Sequence, residues 1–137
     1  MTAHASGGSK MLEAAVAGAG PKTIVAGVTV LTSLNGADVG ARTRDLAVTA
    51  KNAGARAIVC SGLEVANVRS AVGPDLMIVV PGVRPTGSDA HDQARTVTPA
   101  AAAAAGADYL VVGRPITASA DPVEATAAIS QQMAVTA

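Results

Sequence analysis

The sequence predicts an α/β fold built on a parallel β-sheet, with about five strand–helix units in series. Short apolar runs rich in β-branched residues alternate along the chain with longer alanine-rich stretches. These runs are nearly continuous, which is typical of strands that are buried on both faces of a parallel sheet. Strict alternation of strands and helices favours a sheet that is either covered by helices on both faces or closed as a barrel.

The strand candidates are the apolar runs, and the first residues of the chain provide one more. In chain order they are MTAHA at the amino terminus, TIVAGVTVL at 23–31, AIVC at 57–60, LMIVV at 76–80 and YLVV at 109–112.

Helix candidates fill the stretches between the strands, at 9–19, 40–53, 63–72, 99–105 and 122–133. Thr98 and Asp121 each precede a proline, which is a typical helix N-cap followed by proline in the first turn. Gly54 and Gly106 stand just past predicted helix ends, where glycine readily adopts a left-handed conformation.

Composition excludes several classes of protein. The 137 residues and 13.3 kDa suit one domain, residues 1–137, with a single core. Ten Lys and Arg balance ten Asp and Glu, so the chain has no net positive charge that would attract nucleic acid or an anionic membrane. The chain has one tyrosine and no Phe or Trp, so it lacks the aromatic residues on which proteins that bind single-stranded nucleic acid stack the bases. The single cysteine cannot form an internal disulfide, which suits a reducing compartment. The sequence also has no apolar run long enough to span a membrane and no signal-peptide pattern. These features predict a cytoplasmic protein.

Residues that follow the strands are the candidate site, because parallel α/β folds bind ligands at the carboxyl ends of their strands. Gly113 lets a ligand approach the backbone, and Arg114 offers donors that match phosphate oxygens. A turn with a solvated arginine explains the same pair equally well. The polar segment 81–98 adds Arg84 and Gln93, and its length indicates a binding loop, a lid or disorder. We expect its other charges to be solvated: Asp89, Asp92 and Arg95.

Metal and nucleophile chemistry find little support in the sequence. No pair of His or Cys residues stands at metal-ligand spacing, so we expect no metal site. His4 has no neighbouring carboxylate or second histidine, and a structural role explains it best. Cys60 ends an apolar run without a partner base, so packing explains it better than nucleophilic catalysis.

Five segments together resemble a known family. In this order and at these separations, the segments resemble the carboxyl-terminal part of bacterial orotidine 5′-phosphate decarboxylases: VTVLTS, VCSGLEV, PGVRPTGSDAHDQAR, TPAAAAAAGADYLVVGRPIT and ADPVEAT. HASGG near the start is similar to the end of that family's fourth strand and the helix after it. The resemblance covers essentially the whole chain.

This resemblance implies a partial TIM (β/α) barrel and a lyase that converts orotidine monophosphate to uridine monophosphate in pyrimidine synthesis. It implies a homodimer that needs no cofactor and no metal. Thr32 would lie beside the pyrimidine, and Arg84 and Gln93 would belong to a loop that closes over the phosphate. Gly113 and Arg114 would hold that phosphate through a backbone amide and a guanidinium group.

One departure from the family concerns catalysis. Its members carry a Lys and Asp array with a signature similar to D-x-K-x-x-D, in which lysine stabilises and protonates the carbanion. This sequence lacks the signature, and we expect its three lysines to face solvent: Lys10, Lys22 and Lys51. A complete barrel also needs roughly 200 residues or more. We therefore expect a carboxyl-terminal half-barrel that begins at the fourth strand, contains no catalytic residue and is inactive alone.

Five parallel strands from an eight-stranded barrel leave two open edges and an uncovered core face. We expect a homo-oligomer to cover this surface. An alternative function is a noncatalytic phosphate-binding or structural half-barrel that self-assembles.

Overall fold

A computed structural model describes residues 1–31, 33, 36–85 and 95–134 of the chain. Its centre is one sheet of five parallel strands, hydrogen-bonded in the order β1-β2-β3-β4-β5. The predicted series of parallel strand–helix units is confirmed. The strands are β1 Thr2–His4, β2 Ala26–Val28, β3 Ala57–Val59, β4 Met77–Pro81 and β5 Tyr109–Val111.

Helices follow the strands at or close to the predicted positions. They are α1 Ser9–Ala19, α2 Val39–Asn52, α3 Val65–Val72, α4 Pro99–Ala104, α5 Arg114–Thr117 and α6 Pro122–Ala134. The predicted helix at 63–72 divides into a 3-10 turn, Gly62–Glu64, and α3. The short α5 is not among the sequence predictions. Of the helices in the described residues, none combines the length and the apolar character that crossing a membrane requires.

The predicted helix N-caps, Thr98 and Asp121, are confirmed. The Thr98 hydroxyl accepts a hydrogen bond from the amide of Ala101 at 3.2 Å. Asp121 accepts two bonds through Oδ1, from the amides of Val123 at 3.0 Å and Glu124 at 2.9 Å. These side chains satisfy amides that have no partner within the first helical turn.

The core lies between the sheet and helices packed on one of its faces. Each connection leads from one strand to its immediate neighbour, so right-handed crossovers put successive helices on the same side. Small residues bring these helices close: a Cβ on Gly27 of β2 would lie only 2.5 Å from the Cβ of Ala50 in α2. Fully buried aliphatic side chains fill the layer, including Leu12, Ile58, Val68, Ile78 and Val80.

The opposite face of the sheet is largely open, so the expectation of strands buried on both faces is wrong for the outer strands. In β5, Tyr109 is 57% exposed and Val111 is 54% exposed. In β4, buried residues alternate with partly exposed ones. Continuous apolar runs therefore reflect apolar side chains on both faces, of which the helices cover only one. A cleft of about 310 Å³ lies on the open face, lined by apolar residues that include Ala57, Val59, Met77 and Val79.

Arg69 ties the end of α3 to the last two strands. Its guanidinium group donates to the carbonyls of Gly73 at 2.9 Å, Leu76 at 2.6 Å and Gly106 at 2.8 Å. It also pairs with Asp108 at 2.6 Å, whose Oδ2 accepts the amide of Ile78. The charge thereby satisfies carbonyls at two turns that would otherwise lack partners.

Cys60 is a packed core residue at the end of β3. Burial raises the pKa of its thiol from the ordinary 9.0 to about 12, and the positive charges of Arg69 and Arg95 offset only part of that rise. The folded protein therefore keeps this thiol protonated, which makes it a poor nucleophile.

We predict that Cys60 in the native protein reacts with a thiol-specific reagent at pH 9.0 at least ~100-fold more slowly than in the denatured chain. Above pH 9.0 the unfolded thiol loses its proton first, so stability falls as pH rises from 9.0 to about 12. The free energy of unfolding, measured with urea across this pH range, should fall less in Cys60→Ala than in the wild type. Equal labelling rates in native and denatured protein would contradict the prediction.

Candidate anion site

A cavity of about 350 Å³ opens at the carboxyl ends of β4 and β5. This is the edge at which parallel α/β folds bind ligands. Its lining comes from the end of β4 and the turn after it, and from β5 and α5: Pro81, Gly82, Arg84, Val111, Gly113, Arg114 and Thr117.

Arg84 enters the cavity from the turn after β4. Val83 pairs with Val97 in a parallel bridge, and the Arg84 amide donates to the Val97 carbonyl at 2.9 Å. Arg84 is only 8% exposed, and its Nη1 donates to the Val83 carbonyl at 2.8 Å. Among the described residues, its buried Nε has no hydrogen-bond partner. A buried donor without a partner is costly in free energy.

Gly113 and Arg114 enter the same cavity from the end of β5. The Gly113 carbonyl accepts the amides of Ile116 at 2.9 Å and Thr117 at 3.0 Å, which closes the single turn of α5. A Cβ built on Gly113 would meet no atom within 4 Å, so the backbone here faces open space. Arg114, the first residue of α5, is exposed.

Two arginine residues and an accessible backbone therefore share one cavity. Arginine donors match the oxygens of a phosphate monoester in geometry and charge. The structure brings together three of the predicted site residues, Arg84, Gly113 and Arg114, and their binding roles stay predictions. Thr32 and Gln93 lie outside the described residues, as do Asp89 and Asp92.

Arg95 corrects one expectation, because it is buried rather than solvated. It is 7% exposed and forms an ion pair with Glu64, which is 9% exposed. Glu64 is not among the residues that directly follow a strand, because it lies in the 3-10 turn beyond β3. The glutamate in VCSGLEV is the only sequence signal, and nothing nearby in the chain shows that its partner is Arg95.

Further cavities flank the sheet. One of about 140 Å³ lies at the carboxyl ends of β1 and β2, where His4, Thr29 and Arg42 are among its lining residues. Another of about 450 Å³ lies at the opposite edge, where Arg56 and Thr23 join a mainly apolar lining. At that edge of a barrel, residues serve stability rather than ligand binding.

Comparison with known proteins connects this geometry to a family. A family model described as "Orotidine 5'-phosphate decarboxylase / HUMPS family" matches residues 1–129. Among curated relatives, orotidine 5′-phosphate decarboxylase from Thermobifida fusca is 53% identical over 97% of this chain and 60% of its own. The protein of the same name from an Anaeromyxobacter species is 52% identical over 95% of this chain and 61% of its own. The chain thus spans about 60% of these relatives.

Solved structures agree with the sequence relatives. The crystal structure of orotidine 5′-phosphate decarboxylase from Lactobacillus acidophilus has a TM-score of 0.79 and 34% identity, over 96% of this chain and 62% of its own. Orotidine 5′-monophosphate decarboxylase from Metallosphaera sedula, at 23% identity and a TM-score of 0.68, matches in fold over 99% of this chain and 61% of its own. The predicted partial barrel is confirmed. With a family model matched over 1–129 and relatives above 50% identity, the chain belongs to the orotidine 5′-phosphate decarboxylase / HUMPS family.

Proposed function

We propose that this chain is the carboxyl-terminal part of an orotidine 5′-phosphate decarboxylase, from the fourth barrel strand onward, and forms one domain over 1–137. Its role in the reaction is to bind the phosphate of orotidine monophosphate and of the product, uridine monophosphate. The family relationship supports this substrate class.

The observation that carries the proposal is the shared cavity of Arg84 and Arg114. Arg84 brings a buried guanidinium group with a donor that lacks a partner in the described part of the chain. Arg114 and the Gly113 backbone approach from the neighbouring strand. We further propose that Thr32 contacts the pyrimidine and that Gln93 contacts the phosphate, as the resemblance implies. Binding a remote phosphate supplies energy that family members use to organise the reacting end of the substrate.

The chemical step requires residues in addition to this cavity. Lys10 lies in α1, Lys22 lies between α1 and β2, and Lys51 lies in α2. The Lys51 ammonium group donates to the Val72 carbonyl at 2.8 Å, at the end of α3. None of the three lines the cavity of about 350 Å³ among the described residues. These positions support the proposal that the lysine which protonates the carbanion comes from outside this chain.

We also propose that the chain forms a homo-oligomer through the open face of the sheet. Exposed apolar side chains on β5 and the cleft across β3 and β4 support this association. Two edge strands, β1 and β5, add further surface for pairing.

The phosphate site is tested by titrating uridine monophosphate, with binding measured by calorimetry. We expect Arg114→Ala to weaken binding about 10-fold to 100-fold, because it removes a charge-assisted hydrogen bond. Uridine, which lacks the phosphate, should bind the variant and the wild type equally. Arg44→Ala, at an exposed position of α2, is the matched control. Equal affinity of Arg114→Ala and wild type for uridine monophosphate would refute the assigned role.

Catalysis is tested by incubating the isolated chain with orotidine monophosphate and following conversion to uridine monophosphate. We expect no turnover above the uncatalysed rate, because no lysine lines the phosphate cavity among the described residues. The Thermobifida fusca relative serves as the positive control. Turnover by the isolated chain would show that the catalytic group lies within these residues after all.

Association is tested by sedimentation of Val111→Asp, which places a charge on the open face of β5 at a position that is 54% exposed. We expect this variant to be monomeric, because a buried unpaired carboxylate opposes association. Val123→Asp introduces the same charge on α6, where Val123 is 80% exposed, and should leave the oligomer intact. A wild-type monomer would rule out the proposed association.

A further inference from the structure

We infer that Glu64 is a positioning residue for the phosphate site. Through Arg95 and Val97, Glu64 holds Arg84 in the anion cavity. This inference rests on the proposed function, because it explains how the arginine of that site is placed. Glu64 itself is not among the residues that line the cavity. Its influence passes through residues 95–98, which we call the returning limb.

The first contact is the ion pair of Glu64 with Arg95. Both side chains are nearly excluded from water, and in the described residues Glu64 Oε2 has no hydrogen-bond partner. Burying two charges costs solvation free energy that their attraction barely repays, so such a pair contributes little net stability. The pair instead favours one arrangement of the two side chains, because separating them leaves an uncompensated buried charge. The pair therefore fixes the start of the returning limb beside the end of β3.

The second contact is the packing of Val97 on Gly62. A Cβ on Gly62 would lie 2.1 Å from Val97 Cγ1 and 2.7 Å from its Cβ. The absence of a side chain at Gly62 is thus what allows Val97 to rest on the backbone next to Glu64. One residue later, Thr98 caps α4. The returning limb is therefore anchored at its start, its middle and its end.

The third contact connects this limb to Arg84. The Val97 carbonyl accepts the Arg84 amide at 2.9 Å, and Val83 pairs with Val97 in the bridge. Any displacement of Val97 moves the backbone from which the Arg84 side chain projects. An anion site needs its donors within a fraction of an ångström of their productive positions. Glu64 thus acts on phosphate binding without touching the phosphate.

The test uses Glu64→Gln in the full chain, with hydrogen exchange of the Arg84 amide as its direct readout. We expect this amide to exchange about tenfold faster or more, because its bond to Val97 loosens. The Asp108 amide, which donates to Ile78 at 2.9 Å within the sheet, reports global stability and should change less. Dissociation constants for uridine monophosphate and for inorganic phosphate should each rise about tenfold. Uridine binding should be unchanged.

Gly62→Ala provides a second variant that disturbs the same limb without leaving a buried charge. Its methyl group displaces Val97, so the same faster exchange at Arg84 and the same weaker phosphate binding are expected. Glu13→Gln, at an exposed position of α1, is the control for loss of a carboxylate and should match the wild type.

Two results separate this inference from the proposed function. Wild type that binds neither uridine monophosphate nor phosphate would end the proposed function, and the Arg84 exchange rate would still decide whether Glu64 positions that residue. Unchanged Arg84 exchange in folded Glu64→Gln, or exchange that rises equally at Arg84 and Asp108, would overturn the positioning role. Unchanged phosphate affinity beside faster Arg84 exchange would overturn its link to binding.

Discussion

Parallel pairing of strands in chain order is the constraint on which the rest of this structure depends. Because each strand joins its immediate neighbour in the same direction, every carboxyl end reaches one edge of the sheet. Arg84 and Arg114 follow neighbouring strands, so this topology alone brings them to one cavity. The same constraint puts the helices on one side and leaves apolar side chains on the other. The edge that carries the cavity and the open face are thus two results of one arrangement.

Small side chains allow the helices to pack closely on the covered face of the sheet without aromatic residues. Gly27 against Ala50 shows how closely α2 approaches β2. Such a layer buries little area per side chain, so close contact between backbones replaces the large side chains of other cores. Polar groups then secure the ends of the elements, as Arg69 does for α3, β4 and β5.

Charged residues at the carboxyl edge of the sheet fall into two groups. Arg84 and Arg114 line the cavity, whereas Glu64 and Arg95 form a buried ion pair and are not among the lining residues. A buried ion pair is a poor source of stability, and the role that we propose for this pair is to define a geometry. Among the described residues, the buried charges of a chain with balanced charges thus lie at one edge of its sheet.

Local sequence determined the elements, because helix caps, prolines and apolar runs act over a few residues. Thr98 and Asp121 show this for helix starts, and the resemblance in GRP and PGVRP identified Arg84, Gly113 and Arg114 as one group. Burial could not be predicted in the same way. Whether Arg95 meets water or Glu64, and whether the apolar face of β5 is covered, depends on parts of the chain that approach only in the folded state. The sequence by itself determined the strands, the helices other than α5, and three residues of the candidate anion site. Only the tertiary structure decided which charges are buried and which sheet face is open, because solvent exclusion is a property of packed surfaces.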